Sequence, residues 1–176
     1  KPPMNPDAQG LLFLVAGFLW MISIFSFSHL APRENWLGPF GYLIAYSLEY
    51  LFGLGAILVP FYLCWLGVQC LRRQKLAHPA YDHLYFLICL VSLCFLFTAI
   101  ADLAPTRAAA WEKSVISEKI VIYSLYPRTL VRHNLGGVPF YFLYADLPML
   151  SLQRLLGATG TTIIFSSMGL VAFVLF

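Results

Sequence analysis

Titratable side chains are where chemistry would be sought first, and in this sequence they are few and peripheral. Asp, Glu, Lys and Arg make up 11% of the 176 residues, against 60% hydrophobic and 16% aromatic. An average soluble domain carries about 25% charged residues. His29, Glu49, Asp102 and Arg107 lie at the borders of apolar runs. A catalytic acid or base could be built there, but a solvated interfacial side chain accounts for the same residues. His78, Asp82 and His83 share one short polar stretch, yet their spacing matches no metalloenzyme motif. The Gly-Lys dipeptide of a phosphate-cradling loop does not occur in the chain, so ATP is not bound in the usual way. Cys64, Cys70, Cys89 and Cys94 fall inside apolar runs and read as packing or lipid-facing residues. No catalytic residue, cofactor or metal is therefore expected.

What the chain offers instead is elements that cross a bilayer. Four runs, 11–27, 53–71, 84–101 and 157–176, contain no charged residue and are 17 to 20 residues long. A hydrocarbon core of roughly 30 Å needs about 20 helical residues. The mean hydropathy of +0.78 agrees. The expected fold is all-α: a polytopic membrane protein with four transmembrane helices as two helical hairpins, forming a single membrane domain over 1–176. A transmembrane barrel would alternate polar and apolar residues, which these runs do not. No small-x-small cleavage site follows the first run promptly, so it reads as a retained span. The start at Lys1 and the stop of the last run at Phe176 read as those of a piece of a longer polypeptide. The net charge of +3 is small and scattered, which excludes a nucleic-acid surface on this segment.

Between the runs lie 28–52, 72–83 and 102–156. Arg72, Arg73 and Lys75 follow the second run directly, a basic anchor that the positive-inside rule assigns to the cytoplasm. Both termini are then cytoplasmic, and the other two loops are outer. From Pro39, Phe40, Ile44, Leu48 and Leu51 recur at helical spacing, while Tyr42, Tyr46, Glu49 and Tyr50 form a second face. The spacing predicts a helix lying along the headgroups, with Trp36, Tyr42, Tyr46 and Tyr50 as interfacial aromatic anchors. Gly53 and Gly55 let the chain turn into the bilayer. In the long loop, Asp146 is expected to cap a short helix from Pro148 that points Met149, Leu152, Leu155 and Leu156 inward. Strand-like composition at 120–123 and 138–144, with a turn at 134–137, allows a small extramembrane β-hairpin.

A weak internal repeat runs through these elements. Asn35, Gly38 and Gly41 precede a surface segment ending at Gly53 and Gly55, while Asn134, Gly136 and Gly137 precede another ending at Gly157 and Gly160. The Asn-to-Gly separations are 18 and 23 residues, which places an insertion near 144–148. Small residues line one side of the second run (Gly53, Ala56, Pro60, Gly67) and favour close helix packing.

The stretch Asn35-Trp-Leu-Gly-Pro-Phe-Gly-Tyr, continuing through Leu51-Phe-Gly-Leu-Gly-Ala-Ile-Leu-Val-Pro60 to Leu66-Gly-Val-Gln-Cys-Leu-Arg-Arg73, resembles the N-terminal membrane domain of the FtsK/SpoIIIE DNA translocases. The Leu-Leu-Gly157-Ala-Thr-Gly160 approach to the fourth run fits the same outline. The resemblance implies a membrane anchor with septum-targeting and oligomerisation roles in bacterial cell division and chromosome partition. It implies a homo-oligomer, a hexamer in that family, located at the division septum of the inner membrane among other cell-division proteins. DNA would be handled by an ATP-driven motor beyond this segment, which would itself perform no reaction. The long outer loop exceeds the family's usual connection. The competing reading is an independent membrane enzyme or transporter, with Glu49, Asp102, Arg107 and Asp146 converging in a polar site at the outer face.

Overall fold

The computed structural model describes residues 5–29, 31–73, 79–122 and 128–176. Lys75, His78 and Tyr123 lie outside the described residues. Helix α1 (Pro6–Phe25) opens on an Asn5 side-chain cap and runs antiparallel to α3 (Leu58–Leu71). Between them, α2 (Gly38–Phe52) and a 3-10 turn (Gly53–Ile57) complete the first half. Helix α4 (Pro79–Leu103) starts the second half and pairs with α7 (Leu152–Leu175). The connection holds α5 (Pro105–Ala108), strands β1 (Ser117–Ile122) and β2 (Arg128–His133), α6 (Val138–Tyr141) and a π-helical turn (Phe142–Asp146).

Among the described residues, four helical stretches are long and apolar enough to cross a membrane: Pro6–Phe25, Gly38–Leu71, Ala80–Leu103 and Leu152–Leu175. The second is broken at Gly53, whose φ is +53°. Gly41 of α2 lies against Ser23 in the last full turn of α1, and α2 ends where the chain turns into α3. Both ends of α2 thus sit at one end of the α1–α3 hairpin, and α2 runs across it. The side of the bundle carrying α2 and the 102–156 connection is called the loop face below; Asp7, Arg73 and Phe176 are at the opposite, terminal face.

Small residues bring the helices together, because lipid gives large apolar side chains no drive to turn inward. A Cβ at Gly17 would sit 3.0 Å from Pro60 O, and one at Gly67 2.8 Å from Gly10 O, so α1 and α3 meet backbone to backbone. Gly53, Ala56, Pro60 and Gly67 are all buried. Between α4 and α7, Gly169 rests on Ser92 and Phe95 stacks on Phe165. The two hairpins meet through Tyr62, stacked 3.9 Å from Phe86, and Trp65 against Phe176.

The same physics corrects the expected faces of α2. Gly41, Ala45, Leu48 and Glu49 are buried, whereas Phe40 is 71% exposed and Leu43 and Leu51 are exposed too. Phe40, Leu43 and Leu51 face outward, and the inward side is made of Gly41 and Ala45 with Leu48 and Glu49. In the second half, 138–144 is not a strand. Gly137 at φ +93° and Pro139 in the first turn start α6 there, and the antiparallel partner of β1 is β2, in register Ser117 with His133. Nor does a helix start near Pro148. Its first residue is Leu152 after Ser151, while Met149 adopts φ +65° and is 86% exposed, and Leu155 and Leu156 also point outward.

Candidate functional site on the loop face

Two arrangements dominate the loop face. The first interlocks the halves. Leu135 O accepts a 2.8 Å bond from Leu54 N, and a Cβ on Gly53 would collide with Leu135, one on Gly136 with Cys94 O, and one on Gly137 with Leu51 O. The Asn134–Gly137 turn is therefore wedged between the α2–α3 break and α4, with Cys94 Sγ on Phe52 O at 3.4 Å. Leu135 is buried with Ala101, Ala108 and Val115, and Leu54 and Phe97 pack onto that cluster.

The second arrangement is polar. The π-turn, closed by Leu147 N donating to Phe142 O, has one more residue in its ring than an α-turn and turns Tyr144 fully inward. The Tyr144 hydroxyl donates to Asp102 Oδ2 at 3.1 Å, and Gln153 Nε2 donates to the same oxygen at 2.9 Å. Arg132 on β2 makes a bidentate pair with Asp146 at 2.6 and 2.9 Å, has Glu118 at 3.8 Å, and covers the Tyr141 ring at 4.0 Å. Burial pushes the Tyr144 phenol above its usual range, and the Asp102 carboxylate adds to the shift. A cavity of about 220 Å³ lies between these groups, walled by Asp102, Arg132, His133 and Tyr141 together with Ala101, Ala108 and Val131. His133 is tied by Nδ1 to Ser117 Oγ at 2.9 Å.

The residues singled out in the sequence are distributed as follows. Asn35 is buried: Nδ2 donates to Ser23 O at 2.9 Å, and Oδ1 accepts from Leu37 N at 3.1 Å. Asn134 is 1% exposed, and neither side-chain polar atom has a partner among the described residues. Gly38 and Gly157 have φ +65° and +67° in open space, a Cβ on Gly55 would sit 3.0 Å from Cys94 Sγ, and one on Gly160 would reach Leu156. Tyr42, Tyr46 and Tyr50 form a ladder along α2 that starts from Phe27, with centroids 5.5 to 6.3 Å apart, and Trp36 is exposed beside it. Arg72 caps α3, and Arg73 forms an exposed ion pair with Asp7 at 2.9 Å.

Of the candidate acids and bases, Asp102 and Asp146 enter neighbouring networks, while Arg107 is exposed. Glu49 is not solvated: it is 4% exposed and its Oε2 is buried without a partner among the described residues. His29 Nδ1 is also buried without a partner among the described residues. His83 bonds the Tyr62 hydroxyl, and no cluster of three His, Cys, Asp or Glu among the described residues could hold a metal. Arg132, Tyr144 and Gln153 were not legible as site residues. Tyr144 and Gln153 join Asp102 across 42 and 51 residues, and nothing local signals the π-turn that brings them there.

Comparison with known proteins adds the family. The profile described as the 4TM region of DNA translocase FtsK/SpoIIIE matches residues 4–113. The DNA translocase FtsK of Chlamydia trachomatis serovar D is 31% identical over 152 residues, covering 86% of this chain and 18% of that protein. The DNA translocase FtsK of Clostridium tetani is 31% identical over 172 residues, covering 98% of this chain and 20% of that protein. The chain thus spans about a fifth of the length of these curated relatives. No solved structure matches it. Four apolar helices, the matched 4TM profile and these relatives together make this chain a member of the FtsK/SpoIIIE family, in its multi-pass membrane domain.

Proposed function

We propose that this segment is the membrane anchor and septum-targeting, oligomerising domain of a DNA translocase acting in bacterial cell division and chromosome segregation. It lies in the inner membrane with both termini cytoplasmic, performs no reaction itself, and holds a DNA-handling motor at the septum beside other division proteins. The carrying observation is how the loop-face charges are spent. Asp102 is occupied by Tyr144 and Gln153 and Arg132 by Asp146, in bonds that tie the π-turn and α7 to α4 and the π-turn to β2. Such groups fasten a scaffold; a transport path would need ionisable groups along the spans.

The test is a fluorescent fusion to the full-length protein with and without residues 1–176. Loss of the septal band and a diffuse cytosolic signal on deletion is expected. A truncated protein that still gathers at the septum overturns the reading. The enzyme or transporter reading draws on the cavity beside Asp102 and Arg132. It predicts turnover or flux that Asp102→Asn abolishes in a correctly localised protein, whereas the anchor reading predicts normal septal placement and DNA transport in that variant.

A further inference from the structure

We infer that Glu49 is a proton-binding site: its carboxyl carries a proton while α2 is seated on the bundle and gives it up when α2 lifts, so that one proton latches the two halves together. Glu49 is 4% exposed, and its Oε2 is buried without a partner among the described residues. It shares the inward side of α2 with Gly41, Ala45 and Leu48, none of which has a side-chain hydrogen-bonding group. The elements packed against α2 are α1, α6 and the 3-10 turns Pro32–Glu34 and Gly53–Ile57. Their titratable groups are Asp7 at the terminal face, the exposed Arg33 and Glu34, and Tyr141 beneath Arg132, while the Gly53–Ile57 turn has none. On α2 itself, Tyr42, Tyr46 and Tyr50 stack on one another. None of these groups pairs with the buried Oε2.

Burying an ionised carboxylate with neither a counter-charge nor a hydrogen-bond donor is far costlier than burying the neutral acid. Seating α2 therefore takes one proton from water, and lifting it returns a carboxylate and a proton. The residue is placed to act on the interlock between the halves. Its backbone O accepts the bond from Gly53 N that ends α2, and the next residue, Leu54, donates its N–H to Leu135 O of the second half. A lifted α2 thus loosens the wedge of the Asn134–Gly137 turn. With no second acid or base paired to it, the group holds a proton and does not relay one.

The full-length protein in mild detergent is compared with its Glu49→Gln variant, which is uncharged at every pH and nearly the same shape. Infrared difference spectra near neutral pH should show the carbonyl stretch of one protonated carboxyl in the parent that the variant lacks. Amide exchange then follows α2, as protection factors that remove the intrinsic pH dependence of exchange. Above about pH 5 the lifted helix carries an ionised Glu49, so protection of α2 should fall about tenfold per pH unit in the parent and stay level in Glu49→Gln. The amides of α4 serve as the internal reference. Absence of the infrared band, or α2 protection that runs parallel in the two proteins, overturns the proposal. So does a variant whose α2 is less protected than the parent's above neutral pH, because that is the mark of a carboxylate with a partner.

Discussion

The two halves of this molecule use the same sequence of moves with different tightness. Each has a spanning helix, a turn begun by a buried Asn, a positive-φ glycine that admits a Pro-initiated helix (Gly38, Gly137), and a second positive-φ glycine where the chain enters the returning helix (Gly53, Gly157). In the first half the surface helix is one piece of 15 residues and Asn35 is satisfied by α1 and its own turn. In the second half it is split into α6, a π-turn and the start of α7, and the Asn134 side chain has no partner among the described residues. The wider geometry frees Tyr144 and Asp146 to reach Asp102 and Arg132. A scaffold can therefore be repeated while one copy is opened to build a polar face.

The largest effects separate the glycines. Gly53→Ala combines backbone strain with a collision against Leu135 and should cost about 3 to 5 kcal/mol, while Gly157→Ala meets open space and should cost about 1 to 2 kcal/mol. Thermal unfolding in micelles, followed by helicity, measures both, and equal losses would break the contrast between the halves. Next come the asparagines. Asn35→Leu removes two hydrogen bonds and should cost about 2 kcal/mol, whereas Asn134→Leu should stay within about 0.5 kcal/mol of the parent. A large loss for Asn134→Leu in the same assay would show the second turn to be as tightly bonded as the first.

The smallest effect is a pH dependence. The Tyr144 phenol is raised in the folded state, so its contribution is fully present below the unfolded value near pH 10 and is lost as pH rises above it. Melting temperature should fall more steeply above pH 10 in the parent than in Tyr144→Phe. Parallel curves would remove Tyr144 from the polar face.

Apolar length made the four helices legible, since a run must match the thickness of the bilayer whatever it packs against. The β-hairpin was legible in kind but not in register: 120–122 lies on β1, while 138–144 is helical because Gly137 and Pro139 start a helix. Helix faces were the least readable. On α2 the spacing puts Phe40, Leu48 and Leu51 on one apolar face, but only Leu48 is buried while Phe40 and Leu51 point outward. Glu49 read as solvated for the same reason, though its place beside Ala45 and Leu48 on the small-residue face buries it.

The sequence by itself determined that this chain is a four-helix membrane domain, because the number and length of its uncharged runs leave no other way to satisfy the backbone in lipid. Only the tertiary structure decided which faces meet, that the Asn134–Gly137 turn locks into the α2–α3 break, and that Asp102, Tyr144, Arg132 and Asp146 share one end of the bundle. These contacts join residues far apart in the chain, and in an apolar solvent close backbone approach and hydrogen bonding, not hydrophobic pattern, select them.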